Sequence, residues 1–267
     1  MSAFRSASEG EQKDLRGNPI TLSDSSLDYT FIVPAYNEEC FLPETIRSIR
    51  SCMNQNPYLR GEVLVVNNNS DDRTQEVAEE LGCRVVFEPI NQIARARNAG
   101  ARVALGRNLF FLDADTLVPD STFRAACHAL ENCGVGAGGA TLRFDSNHDR
   151  LIAGIILPRM WNFISKTFGY FAGCFIFCRK DLFEKCGGFP ETHYAGEEIL
   201  FSKNIRRQCL RAGLRLKILD RYPVISSSRK LLWYRDWQML KLLLPTLLLP
   251  WVLQQRKFCQ FWYKRPQ

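Results

Sequence analysis

The sequence predicts an α/β fold in which a mostly parallel sheet is covered by helices on both faces. Short apolar runs rich in β-branched and aromatic residues alternate with stretches of helical periodicity along the first half. Each apolar run turns polar at its C-terminal end, as strands of such sheets do where they meet a ligand. The 267 residues, 46% of them hydrophobic, suffice to fill one sizeable core.

Residues 29–35 (YTFIVPA) read as a buried strand closed by Pro34, and 41–53 then follow a helical period. Residues 62–67 (EVLVVN) form a second buried strand. Ser70-Asp71-Asp72 supplies an N-cap cluster for a helix running to Leu81, with Gly82 past its end. A third strand at 84–87, a helix at 92–105 followed by Gly106, and a fourth strand at 109–112 (LFFL) complete a β-α rhythm. Beyond it the pattern is less regular, with a helix at 121–131, a strand or hairpin at 135–144, a strand at 171–178 and a helix at 199–212. Residues 1–27 are polar with no apolar stretch, which predicts a disordered tail without a secretory signal.

The formal net charge is +7, and its placement decides what it means. From Arg229 onward eight basic residues stand against Asp236 alone, leaving 27 basic and 27 acidic residues upstream. The body is neutral. The basic residues of the tail are interleaved with leucines rather than lining a polar groove, which argues against a nucleic-acid partner. The ten cysteines lie singly with no CxxC pair, so a reducing cytoplasm is expected, without zinc site or disulfide framework. The three histidines share no metal-ligand spacing, and His193, just before Glu197, is the one placed to touch substrate.

Three polar clusters follow the apolar strands and should share one rim: Tyr36-Asn37-Glu38-Glu39, Asn67 to Asp72, and Asp113-Ala114-Asp115-Thr116. In the last, two carboxylates two residues apart follow a buried strand, where a tight turn lets both face one ligand. Paired carboxylates with open positions hold Mn²⁺ or Mg²⁺ while the ion also binds phosphate oxygens. Alone, such a pair is most often a solvated turn. Its company, including Gly196-Glu197-Glu198 before a later helix, makes a site the better reading.

In order and spacing, FIVPAYNEE (31–39), VVNNNSDD (65–72), ARNAG (96–100), FLDADT (111–116) and GGFPETHYAGEE (187–198), with Arg206-Arg207 on the following helix, resemble the family 2 glycosyltransferases of the GT-A fold. The resemblance spans roughly residues 28–219 and implies a nucleotide-sugar donor, a hydroxyl acceptor, an inverting displacement and a divalent metal. It places Pro34, Ala35, Tyr36 and Glu38 beside the nucleotide, and Asp113, Ala114 and Asp115 at its diphosphate, with Asp113 and Asp115 as metal ligands. Arg97 is expected to reach the diphosphate or base, since a guanidinium suits phosphate geometry; Arg95 is as well suited to a solvated helix face. The family's second cluster reads VDDGSTD and offers a carboxylate to the base. Asn67 and Asn68 stand in its place, and an amide both donates and accepts where a carboxylate only accepts. Glu198 matches the general base that deprotonates the acceptor and Glu197 precedes it, although most of the family carries Glu-Asp there. Helix-dipole capping alone would also favour acids at Glu38, Glu197 and Glu198.

Residues 229–267 hold four of the five tryptophans (233, 237, 251, 262), the basic excess and the run MLKLLLPTLLLPWVL. Its fifteen residues would span about 22 Å as a helix, short of the ~30 Å hydrocarbon core, and Lys241, Pro245 and Pro250 interrupt it. Such a segment suits a membrane interface, with packing on the catalytic domain or a second subunit as the other reading. The expected organisation is thus a tail (1–27), a catalytic domain (28–228) with a nucleotide-sugar half (28–120) and an acceptor half (121–228), and a basic tail (229–267). The expected protein is a peripheral enzyme on the inner face of a membrane, with a lipid-linked or glycan acceptor. A nucleotidyltransferase that makes nucleotide sugars would need a Gly-rich phosphate loop where PAYNEE stands. A fold that binds a nucleotide sugar without turnover is the non-enzymatic alternative.

Overall fold

The structure is a computed structural model that describes residues 27–145, 151–229, 253–255 and 259. The N-terminal tail expected over 1–27 falls outside it except for Leu27, as does most of the basic C-terminal segment. The strands are β1 (Leu27–Ala35), β2 (Gly61–Asn67), β3 (Arg84–Phe87), β4 (Gly106–Leu112), β5 (Thr116–Leu117), β6 (Val135–Phe144), β7 (Phe175–Arg179) and β8 (Arg215–Ser226). The helices are α1 (Leu42–Gln55), α2 (Thr74–Glu80), α3 (Ile93–Val103), α4 (Asp120–Asn132), α5 (Leu157–Phe168), α6 (Lys180–Cys186) and α7 (Glu197–Arg211).

All eight strands form one sheet in the order β3-β2-β1-β4-β7-β6-β8-β5. The first four are mutually parallel, β7 runs against β4 and β6, and β8 lies parallel to β6. The mainly parallel α/β architecture is therefore present, with an antiparallel insertion. Residues 135–144 make one strand rather than a hairpin, and the strand expected over 171–178 starts at Phe175 because 169–174 form a connection along the site.

Both faces of β1 and β4 are buried, so their side chains alternate between two cores. Tyr29, Phe31, Phe110, Phe123, Phe175 and Phe177 belong to the core beneath α1 and α4. Ile32, Leu64, Phe111, Phe183, Phe189 and Phe201 belong to the one beneath α3, α6 and α7. Gly100 lets α3 lie close on the sheet: a Cβ there would fall 2.4 Å from Ile32 Cγ2. That contact sets the position of α3, whose polar side the site uses.

Candidate active site

The carboxyl ends of β1, β2 and β4 share one rim, and backbone bonds lace their loops together. Asn37, at φ +54° just after β1, receives the backbone N–H of Asp71 on its side-chain oxygen (2.8 Å), and its own N–H donates to Ser70 Oγ (3.0 Å). The Glu38 N–H donates to Thr74 Oγ1 at 2.7 Å, and Glu39 N–H to Asp72 Oδ2 at 3.2 Å. Pro34 and Ala35 are buried at the end of β1, and Tyr36 and Glu38 follow at the rim, half-buried.

The Asp113-Ala114-Asp115 turn is held by its backbone, so its carboxylates need not fix it. The Asp113 N–H donates to Cys174 O (3.2 Å), Thr45 Oγ1 donates to Ala114 O (2.8 Å), and Ser227 N–H donates to Asp115 O (2.9 Å). Asp113 is one-third exposed at its side chain and Asp115 one-tenth. Two guanidinium groups neutralise them.

Arg97, 2% exposed, joins three parts of the fold. It donates to Asp113 Oδ1 (3.0 Å), to Gly173 O (2.8 Å) and to Glu197 Oε1 (2.7 Å), with its guanidinium 5.1 Å from the Phe189 ring centre. Burial opposes its charge, but the carboxylates of Asp113, Glu197 and Glu198 outweigh that and raise its pKa further. Arg97 thus ties the turn after β4 to the first turn of α7. Breaking a buried pair strands an uncompensated charge at a cost of about 3–5 kcal/mol. Arg97→Ala should lose about that much in denaturant unfolding, and a loss below about 1 kcal/mol would show that Asp113 and Glu197 do not depend on it.

Arg229 performs the corresponding task on the other side. Its Nη2 donates to Asp115 Oδ2 at 2.9 Å and to Glu38 Oε1, and its guanidinium lies 4.3 Å from the Phe41 ring centre. The residue closing the β1 loop and the residue closing the β4 turn therefore share one cation. Arg229 is 114 positions from Asp115 and 191 from Glu38, and the sequence marks it only as the first of a basic run.

Glu197 and Glu198 open α7 behind Gly196, which adopts φ +73°. Glu197 is buried on Arg97. Glu198 is half-buried beside Gly173, where a Cβ would come 3.9 Å from its carboxyl carbon. Burial, and then the charge of Glu197, raise its pKa from an ordinary 4.5 to about 8. Because the folded form holds this proton more tightly than the unfolded chain, the group favours folding below about 4.5, and that contribution is lost as pH rises towards 8. In metal-free buffer the melting temperature of the wild type should therefore fall relative to Glu198→Gln between these limits. A constant difference across the range would contradict the burial of this carboxyl.

The loop before α7 is stapled to α3. Asn98 donates to Phe189 O (2.9 Å) and Glu191 Oε1 (3.0 Å) and accepts from Phe189 N–H, while Gln92 Nε2 donates to Glu191 O (2.7 Å) and His193 O (2.9 Å). Arg95 pairs with Glu88 and Glu191 rather than turning to the cleft. Tyr194 N–H donates to Leu253 O (2.7 Å), so part of the C-terminal segment packs on this loop.

Asn67 and Asn68 are both about 4% exposed and spend their amides within the fold. Asn68 Nδ2 donates to Glu88 O and Ile90 O while its oxygen accepts from Gln92 N–H. Asn67 Nδ2 donates to Gln75 and its oxygen accepts from Ser70 N–H. The structure gives them a scaffolding position at the rim, holding the β3–α3 connection against β2. All ten cysteines are free, and no helix among the described residues is long and apolar enough to cross a membrane.

No group of three or more His, Cys, Asp or Glu side chains among the described residues forms a metal cage. Asp113 and Asp115 alone fit the mode in which one or two carboxylates hold Mg²⁺ or Mn²⁺ and the substrate phosphates complete the shell.

Residues 30–187 match the model of a family described as glycosyl transferase family 2. Glycosyltransferase AglE of Haloferax volcanii is 26% identical over 190 residues, 64% of this chain and 59% of that protein. The dolichyl-phosphate beta-glucosyltransferase of Drosophila melanogaster is 36% identical over 115 residues, 38% of this chain and 35% of that one. The chain therefore spans only part of the length of these relatives. A mannosyltransferase from Pyrobaculum calidifontis, solved with GDP-Man and Mn²⁺, superposes with a TM-score of 0.62 at 21% identity over 89% of this chain and 65% of its own. With the mixed sheet, the strand-end clusters and the Asp113–Arg97–Glu197 link in place, this match over more than half the sequence shows that the chain belongs to glycosyl transferase family 2.

Proposed function

We propose that this chain transfers a sugar from a nucleotide sugar to a hydroxyl acceptor with the aid of a divalent metal, inverting the anomeric centre. The observation that supports the reading is the Arg97 bridge, which joins the turn bearing Asp113 and Asp115 to the helix start bearing Glu197 and Glu198. Asp113 and Asp115 would hold Mn²⁺ or Mg²⁺; the Pyrobaculum neighbour was solved with Mn²⁺ and GDP-Man. When bound, the ion supplies Lewis-acid stabilisation of the charge that develops on the diphosphate.

The protein's own residues perform the rest. Glu198 accepts the proton of the acceptor hydroxyl on its carboxylate, and its raised pKa suits that task near neutral pH. The acceptor oxygen bonds to the anomeric carbon as the bond to the diphosphate oxygen breaks, and a single in-line displacement inverts the centre. Arg97 keeps Asp113 and Glu197 in register and spends its bond to the start of α7 on Glu197 rather than Glu198. Tyr36 and Glu38 at the end of β1 border the nucleotide, and Arg229 positions Glu38 and Asp115 until donor and metal arrive. Residues 229–267 contact a membrane surface in this reading, and a lipid-linked acceptor agrees with the dolichyl-phosphate in the name of the Drosophila relative.

The experiment is a thermal-shift screen of UDP- and GDP-sugars with and without Mn²⁺, followed by NMR of the product's anomeric configuration. A ligand that binds only the folded form at 100 times its Kd stabilises by about 2.7 kcal/mol. A metal-dependent shift with one class of donor and an inverted product are expected. A retained configuration would remove Glu198 from the role of base.

A further inference from the structure

A second surface lies along α5. Part of the exposed side of the helix is apolar. Ile156 at the N-cap of α5, Met160 and Phe163 follow one another at spacings of four and three and are 46%, 49% and 67% exposed. Phe168 at its end and Leu210 on α7 are 52% and 69% exposed. The opposite side is secured by the Asn162 amide, which bonds both the N–H and the O of Leu142, and by Ser165 Oγ donating to Tyr170 O.

The charges around this face have one dominant sign. Helix α5 carries Arg159 and Lys166, both exposed, and no acid. At its C-terminal end a cavity of about 670 Å³ is lined by Lys166, Phe168, Tyr170, Arg206, Leu210 and Lys217. Lys203 lies 5.6 Å from the Tyr170 ring, and Tyr170 stacks on Phe168 at 5.9 Å. The acid at the cavity, Asp220, is 3.8 Å from Lys166 across an exposed pair that contributes little. Exposed apolar residues rimmed by cations mark a binding surface, and an apolar helix face with basic flanks is what binds at an anionic lipid interface.

We propose that the Ile156–Met160–Phe163 face of α5, together with the basic cavity at Lys166, Arg206 and Lys217, is a docking surface for a membrane carrying anionic lipid. The apolar side chains enter the headgroup boundary, and the cavity accepts a lipid phosphate. The surface is built from residues other than 229–267. It also connects to the site, because residues 169–174 run from Tyr170 to Gly173 beside Glu198, and the Ser202 hydroxyl on α7 accepts from Phe171 N–H and donates to Glu198 O. On the reading of Glu198 as the base, an acceptor held at that surface would approach it along residues 169–174.

The test is flotation of the full-length protein with phosphatidylcholine vesicles, with and without phosphatidylglycerol. Met160→Gln/Phe163→Gln should weaken binding to anionic vesicles at least about tenfold by removing apolar contact. Lys166→Ala/Lys217→Ala should weaken it about fivefold per charge and flatten the dependence on phosphatidylglycerol content. All four side chains are exposed, so unchanged melting temperatures should confirm folding, and donor hydrolysis with metal should be unchanged. Wild-type binding by both variants would overturn the proposal and leave the membrane contact to residues 229–267. Absence of binding by the wild type would overturn it too, as would a wild type that is dimeric without lipid and becomes monomeric on Met160→Gln/Phe163→Gln, which would make the face a contact between copies. Binding of free inorganic phosphate with the affinity of the vesicles would assign the cavity to a soluble anion and also count against it.

Discussion

Asp115→Asn, assayed with saturating Mn²⁺, should turn over a nucleotide sugar at least about 10²-fold more slowly than the wild type, because several kcal/mol of transition-state charge stabilisation would go with the metal and each 1.36 kcal/mol is a factor of ten. The variant should remain folded. The turn is fixed by bonds to the backbone groups of Asp113, Ala114 and Asp115, and Arg229 keeps its contact to Glu38 after the carboxylate is lost. Mn²⁺ affinity measured by titration calorimetry should fall in parallel. A wild-type rate with unaltered metal affinity would take Asp115 out of the metal site.

Glu198→Gln should lower transfer by about 10²–10⁴-fold, the usual contribution of a positioned base. Donor and metal binding should be preserved, since the carboxylate facing Arg97 belongs to Glu197. The same substitution should raise stability at alkaline pH, because it removes a group that burial and Glu197 hold protonated to about 8. Lost activity with gained stability separates a functional carboxyl from a helix-capping one. A capping acid at the start of α7 would lose stability instead, by a few tenths to about 1 kcal/mol.

Strands β1, β2 and β4 were legible because both their faces are buried, which turns each into a continuous apolar run with a polar stop. Strand β8 was not. In RLKILDRYPVIS, charged and apolar residues intermingle because much of its length is exposed on one side, and its pairing with β6 is interrupted by register shifts. Helix α6 is only seven residues long, below the length at which a 3.6-residue period shows. Helix α5 shows a period, but its apolar stripe faces outward, and Pro158 at its start reads equally as a break.

The site divides in the same way. Asp113, Asp115, Glu197 and Glu198 stand out by residue type at strand and helix ends. Their pairings do not: Arg97, expected at the diphosphate or base, meets Glu197 across 100 positions and Arg229 meets Glu38 across 191, which no local pattern encodes. Asn67 and Asn68 stand where the resembled family offers a carboxylate to the base, and the contacts that occupy their amides within the rim are ones no local pattern encodes.

Metal-dependent transfer governed by the Asp113-Ala114-Asp115 turn is read out by nucleoside diphosphate release from UDP- and GDP-sugars, with Mn²⁺ and with chelator. Wild type should release diphosphate from at least one donor only with metal present, and Asp113→Asn/Asp115→Asn should show none above the uncatalysed rate. Release that continues in chelator, or that survives loss of both carboxylates, would contradict the account.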